Sequence, residues 1–396
     1  MLDSSPGDTL NNIPGSTLDN TPNTTKGNKS IRIIITLLLL GVFSFSYFYF
    51  INKNKTTPPL TAHQTLLSTT KNYKEAEDFN SQRAYDKAIE KYNAAISDAK
   101  SPSQEMLIKL KIALATRNAG DSFKAVELFK DIVTNPAYAS DVPEIKQAKA
   151  VALIGLSSIF YQTRDKAISE KIFSGKPYED FIKQEDAGDI TIAYRRLLEY
   201  ASSLSSFPDL IAESRIAMWY ALKISELKQK QTITEEEKTR IQEYTGIVKT
   251  KLAYIDSHSR DPQNYYEGSR NSTLPLLLTL KAISMGALMV SGDASLGNPE
   301  EVFLEALSLP QAAWTKSQTK FAYAVFLAAA YKEQRKNDIS DLLSDVYDPP
   351  IGSEFNWRTW LSNERDNPTL AANTIQLLVA VDPKFKAFLV SLGWKF

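Results

Sequence analysis

The sequence predicts an all-α protein that begins with a single N-terminal transmembrane helix and continues as stacked helical hairpins. Three patterns carry that expectation. The first is an apolar run from Ile33 to Ile51, 19 residues without a charge. The second is the apolar spacing from Thr61 onward, three to four residues nearly throughout, which is the period of an amphipathic helix and not of a strand. The third is a set of Ser-Pro, Asn-Pro and Asp-Pro pairs at residues 101, 135, 261, 348, 367 and 382, with Gly297-Asn298-Pro299 beside them. Proline fits the first helical turn, and a preceding Asp, Asn or Ser caps it.

At about 1.5 Å per residue the run from Ile33 to Ile51 makes a helix just under ~30 Å long, about the thickness of a bilayer's hydrocarbon core. Phe43, Phe45, Tyr47, Phe48, Tyr49 and Phe50 crowd its far end, where a helix meets the headgroups. A buried core helix is the first alternative, but such helices rarely stay apolar on every face for so long. A cleaved leader is the second. Its apolar region would be shorter and end in small residues, whereas Asn52-Lys53-Asn54-Lys55 follows here. The run is therefore read as a retained anchor. Residues 1–32 are a disordered polar tail, too poor in large apolar side chains to offset the entropy of ordering. Residues 52–60, with Pro58-Pro59, are an extended linker. Lysine and arginine are balanced on the two flanks, so the positive-inside count is a tie. A short tail is the simpler part to keep inside, which puts the helical domain outside the cytoplasm.

Charge and composition exclude several classes of function. The 396 residues hold 46 basic and 46 acidic side chains. Residues 1–30 carry −1 and residues 31–60 carry +3, which leaves −2 for the remainder. A near-neutral domain lacks the clustered cations that nucleic acid requires. Cysteine is absent, so disulfides and thiolate chemistry are excluded. The only histidines are His63 and His258, too few for an ordinary zinc site.

The helices after Thr61 repeat. Small residues pair twelve positions apart: Ala76 with Ala88, Ala113 with Ala125, Gly155 with Ala167. Ala88, Tyr92 and Ala95 keep spacings of four and three, and so do Ala125, Phe129 and Ile132. Small side chains let two helices approach, and the aromatic fills the gap to the next pair. The stretches Ala84 to Ile96 and Ala119 to Phe129 resemble the tetratricopeptide repeat. The first carries Tyr85-x-x-Ala88-x-x-x-Tyr92-x-x-Ala95, and the second carries the Gly120-Asp121 turn with Ala125-x-x-x-Phe129. A third unit keeps Gly155 and Ala167 but has Lys171 where the aromatic belongs. Repeat-to-repeat steps of 37 and 42 residues exceed the family's 34, so the loops are longer. The resemblance covers about residues 68–174 and implies an α-solenoid whose concave face binds peptides or proteins. On that resemblance the inward positions are Tyr73, Glu77 and Asn80 in unit one and Leu110, Leu114 and Arg117 in unit two.

Residues 61–177 are accordingly expected as repeats of this kind, and residues 178–396 as a further helical domain of degenerate repeats. Helices are expected there at about 178–185, 187–205, 208–229, 233–257, 273–291, 299–308, 310–335, 337–347, 354–363, 368–381 and 383–392.

No phosphate-binding loop, nucleophile elbow or zinc-binding helix motif appears. Gly292 to Asn298 is glycine-flanked but lacks the lysine of a phosphate loop and reads as an interhelix loop. His258, between Asp256 and Asp261, invites an acid–base role but is expected in an exposed loop with Ser259. Asn271-Ser272-Thr273 matches a glycosylation acceptor. No catalytic, cofactor-binding or metal residue is assigned. The sequence reads as a non-enzymatic, single-pass membrane-anchored scaffold that binds a protein or peptide on its concave face. It is expected to bind no nucleic acid. The alternatives are an envelope hydrolase with a carboxylate pair in a helical cleft and a self-associating structural organiser.

Overall fold

A computed structural model describes residues 70–139, 142–163, 165–182, 190–204, 210–261, 270–349, 356–366 and 371–396. The apolar run 33–51, the tail, the linker and His63 lie outside them. The described residues are all-α. Their helices are α1 Lys71–Ser81, α2 Tyr85–Ile96, α3 Pro102–Asn118, α4 Ser122–Thr134, α5 Pro143–Thr163, α6 Lys166–Ile172, α7 Ile190–Ser203, α8 Leu210–Lys228 and α9 Glu235–His258. They continue as α10 Arg270–Val290, α11 Pro299–Ser308, α12 Ala313–Tyr331, α13 Lys336–Leu342, α14 Ser344–Tyr347, α15 Trp357–Asp366, α16 Ala371–Val381 and α17 Pro383–Ser391. Short 3₁₀ turns occur at Pro136–Tyr138, Tyr178–Phe181 and Lys332–Arg335.

Local chemistry sets the ends. Ser101, Asn298 and Asp382 accept from the backbone N–H groups of Gln104, Glu300 and Lys384, with proline in the first turn of each helix. Gly120 adopts φ 95°, and Asp121 donates its N–H back to the Thr116 carbonyl at 3.2 Å. That left-handed turn closes α3, and the Asp121 side chain then caps α4 through Lys124 N–H. Thr234 and Glu237 form a reciprocal capping box at the start of α9. Asn135-Pro136 begins only a 3₁₀ turn. The expected helix at 178–185 is likewise reduced to one within its described residues. The expected helix 310–335 ends at Tyr331, because Lys332 takes φ 52° and ψ −131°.

Through α5, each helix packs on the one before it and the one after it, and α3 also touches α5. Farther along, α8 packs on α7, α9 and α10, α10 on α8, α11 and α12, and α12 on α10, α13 and α16. The long helices differ from the expected amphipathic form. In α8 every residue from Leu210 to Leu222 is buried, and in α12 nearly every residue from Trp314 to Ala328 is. Helices surrounded in this way need no polar face. One apolar cluster runs from Met106 to Leu389 across residue 177, and α3 shares a smaller cluster with α1 and α2 through Ile108, Ile112 and Ala115. Among the described residues one stretch, Thr273–Val290 in α10, is long and apolar enough to cross a membrane, but 78% of it is buried by neighbouring helices.

The paired small positions fare unequally. Ala76, Ala88, Ala113 and Ala125 are fully buried, while Ala167 is exposed. Helix α6 has only seven residues and turns Ile172 inward instead. Lys171, in the place of an aromatic, pairs with Glu127 and lies over the Phe123 ring. The aromatic role passes to Phe173, edge-on to Phe160 at 4.9 Å. Lys130 reaches from α4 to the end of α6, donating to the Lys171 and Ser174 carbonyls at 2.7 Å and the Ser174 hydroxyl at 2.8 Å. Its ammonium lies over the Tyr178 ring.

Two glycines give opposite expectations. A Cβ on Gly155 would sit 2.7 Å from Phe129 Cζ, whereas Gly246, in the interior of α9, faces open space. Gly155→Ala is expected to destabilise the fold by about 1–3 kcal/mol by overpacking. Gly246→Ala is expected to stabilise it by about 0.5–1 kcal/mol by removing backbone freedom from the unfolded chain. Chemical denaturation of both variants checks the two signs.

Candidate functional site

The densest polar groupings lie along α1, α3, α5, α7 and α8. The first lies on α1 to α3. Glu77 accepts from the Tyr92 hydroxyl and pairs with Lys111 at 3.0 Å. Tyr73, one turn before Glu77, meets the Tyr92 ring edge-on at 5.8 Å. A buried hydroxyl beside a carboxylate resists ionisation, and burial followed by the Glu77 charge pushes Tyr92 well above the usual tyrosine range. Beside this group Glu75 pairs with Lys91 at 2.5 Å. Of the six inward positions expected from the sequence, Tyr73 and Glu77 are half-buried and brought together here. Asn80, Leu110 and Leu114 are buried in the packing. Lys111 completes the group and was not expected; it lies on α3, two helices on from Glu77, so no local spacing marks it.

The second grouping is deeper. Arg117, at the end of α3, has an enclosed guanidinium near that of Arg215 on α8. Burial first, and then the Arg215 charge, push the Arg117 pKa down to about 9. Arg215 is itself buried and donates to Ser158 of α5 at 3.3 Å. One turn along α8, Trp219 donates its indole N–H to Thr191 of α7 at 3.0 Å. The Arg195 guanidinium covers the Trp219 and Tyr220 rings at 4.8 and 5.3 Å and donates to the Tyr220 hydroxyl. Glu199 accepts from Arg195 at 3.2 Å and from Tyr220 at 3.0 Å. Burial, aided by the Glu199 charge, raises Tyr220 to about 12. Thr191, Arg195 and Glu199 stand four residues apart, so one face of α7 presents them all. That spacing, with the adjacent Trp219-Tyr220 pair, was the available sequence signal.

These groups can hold charged and aromatic side chains through hydrogen bonds and cation–π contacts. Described carboxyls with displaced pKa values, Glu75, Glu237, Asp293, Glu300 and Asp366, are all lowered. A general acid needs the opposite shift. The buried carboxylates serve as braces: Glu213 pairs with Lys251 at 2.7 Å, Asp345 with Lys320 at 2.9 Å, and Asp382 accepts from Tyr347 at 2.8 Å. Among the described residues no three His, Cys, Asp or Glu side chains are placed to hold a metal ion. His258 is not in an exposed loop. It is the last residue of α9, with Nδ1 2.9 Å from the Tyr254 carbonyl and its ring stacked on Tyr254. Ser259, also expected to be exposed, caps that helix and is 1% accessible. Residues Ser291 to Asn298 form the loop joining α10 and α11. The triplet from Asn271 to Thr273 lies in the first turn of α10.

Glu300 gives a brace with a measurable pH signature. Burial alone would raise its pKa, but hydrogen bonds from Tyr323 and Tyr331 and the charge of Arg335 at 3.1 Å outweigh it and hold the carboxyl below its ordinary 4.5. A lowered carboxyl stabilises the fold above its unfolded value and loses that contribution as pH falls through the folded value. Glu300→Gln is expected to cost about 1–3 kcal/mol at neutral pH. The gap to the parent should close in acid below the ordinary value of 4.5. Urea titrations of both proteins across that range check it.

Set against known protein families, curated proteins and solved structures, the chain shows no significant similarity to any.

Proposed function

We propose that the chain is a single-pass membrane-anchored helical-repeat scaffold that binds a protein or peptide segment in a membrane-associated assembly. One observation carries the reading: the small–aromatic phrases are the positions buried between successive helices. Ala88, Tyr92 and Ala95, and likewise Ala125, Phe129 and Ile132, are all fully buried. Phe129 reaches onward to the bare backbone of Gly155 in the next unit. This is how a tetratricopeptide-like solenoid would transmit packing from hairpin to hairpin, and such stacks present one extended concave face. Tyr73, Glu77 and Lys111 are the groups on α1 and α3 suited to reading a charged peptide. The anchor reading rests on residues 33–51, an uncharged run of bilayer length. In the proposed orientation the tail is cytoplasmic and the helical domain faces the other side.

Alkaline carbonate extraction tests the anchor: the full chain should stay with the membrane pellet. Release into the supernatant would refute single-pass anchoring. Orientation is read with Ala294→Cys, at an exposed site in a protein with no native cysteine. A membrane-impermeant maleimide should label it in intact cells, and labelling only after lysis would invert the topology. Partner binding is read with a photo-crosslinking amino acid at Tyr73 and, as control, at exposed Lys238. A discrete adduct from Tyr73 alone, weakened by Lys111→Ala, is the expected result; equal or absent adducts at both sites would count against the concave-face reading.

A further inference from the structure

We infer that α17 and the residues after it form a second contact with the bilayer, a basic–aromatic patch that lies on an anionic lipid surface. The inference concerns a different part of the chain from the anchor and does not depend on it. From Pro383 to Phe396 the sequence holds Lys384, Lys386 and Lys395 and no acidic residue. All three lysines are exposed. On the same side of α17 Lys386 and Val390 stand four residues apart, and Val390 is 54% exposed. Phe396 is 53% exposed and stacks on Trp394 with ring centroids 6.0 Å apart, while the Lys386 ammonium lies 5.8 Å above the Phe396 ring. Exposed Arg358 adds a fourth cation over Phe388 at 5.0 Å.

Two of the nearby acids are already engaged. Asp382 is buried, where it caps α17 and accepts from Tyr347, and Asp366 is paired with Arg365 at 2.7 Å. The patch therefore combines exposed apolar side chains, an indole of interfacial character and unopposed cations. A water-soluble acidic partner would match the cations but not the exposed Val390 and Phe396. An anionic headgroup layer over acyl chains matches both. The helix itself is firmly seated, with Phe385 and Leu389 buried and the Trp394 indole donating to the Leu361 carbonyl at 3.2 Å. The patch is thus carried on a rigid support.

Full-length protein is reconstituted with vesicles containing brominated lipid, either neutral phosphatidylcholine alone or phosphatidylcholine mixed with phosphatidylglycerol. Bromine quenches only tryptophans at the bilayer, and residues 33–51 contain none. Trp219, Trp314 and Trp357 are buried, and half-buried Trp360 is removed by Trp360→Phe in every protein compared, so that Trp394 is the reporter. The expected result is quenching in the anionic vesicles that is lost in Trp394→Phe. Replacing Lys384, Lys386 and Lys395 by Gln should weaken partitioning about fivefold per lysine. Thermal melts confirm that the variants are folded, and the single Lys386→Gln and Lys395→Gln variants give the same reading should the triple one be unstable. Quenching that survives Trp394→Phe, or that is equal in neutral and anionic vesicles, would overturn the inference. So would an absence of quenching in protein that remains carbonate-resistant, an outcome that removes this patch and leaves the anchor standing.

Discussion

The fold depends on how closely a helix backbone can approach an aromatic ring. Phe129 lies against Gly155, and Phe326 lies against Gly286 in the same way, each at a distance no Cβ would permit. One of these contacts joins α4 to α5 and the other joins α10 to α12. Each sets the separation of two long helices, and the apolar side chains around them fill the remaining space. Side chains elsewhere in the core can adjust by rotamer changes. A backbone in contact with a ring has no such freedom.

Helices buried on every side raise a second constraint, because their polar residues have no water. At several of them the structure meets it locally. Ser157, Ser214, Thr279 and Ser284 return their hydroxyls to carbonyls of their own helices at 2.7–2.8 Å. Trp357 donates to Ser317 at 2.8 Å, and Thr279 meets Thr319 at 3.0 Å, so some of these hydroxyls also tie helices together. Buried polar groups satisfied in this way add little penalty to an otherwise apolar interior.

Much of the helical pattern was legible because capping is local. Pro299–Ser308 falls within the range its Asn-Pro start implies, and Glu235–His258 begins after the Thr234 cap. Failures occur where distant contacts decide. Nothing near Lys171 in sequence announces its pairing with Glu127, whereas the Tyr254 that holds the His258 ring lies one turn back on the same helix and escapes notice only because the sequence pattern ends that helix one residue early. The all-round burial of α8 was hidden for a related reason. Glu213 and Arg215 look like surface residues, yet each makes a polar contact across helices, with Lys251 and Ser158. Of the polar groups, Tyr73 and Glu77 were legible together because they stand one turn apart on α1. Lys111 and the arginine–tryptophan group depend on which helices meet.

The short helix α6 shows such dependence in one segment. Seven residues cannot sustain a helix in water. Its termination rests on the Lys130 ammonium, and its flank on the Glu127–Lys171 pair, both supplied by α4. The segment from Lys166 to Phe181 is thus tied to α4 at its polar edge and to the common core through buried Ile172, Phe173 and Tyr178. Three acceptors from one turn converge on a single atom, Lys130 Nζ, at the rim of the apolar contact that Ile172, Phe173 and Tyr178 make with the core.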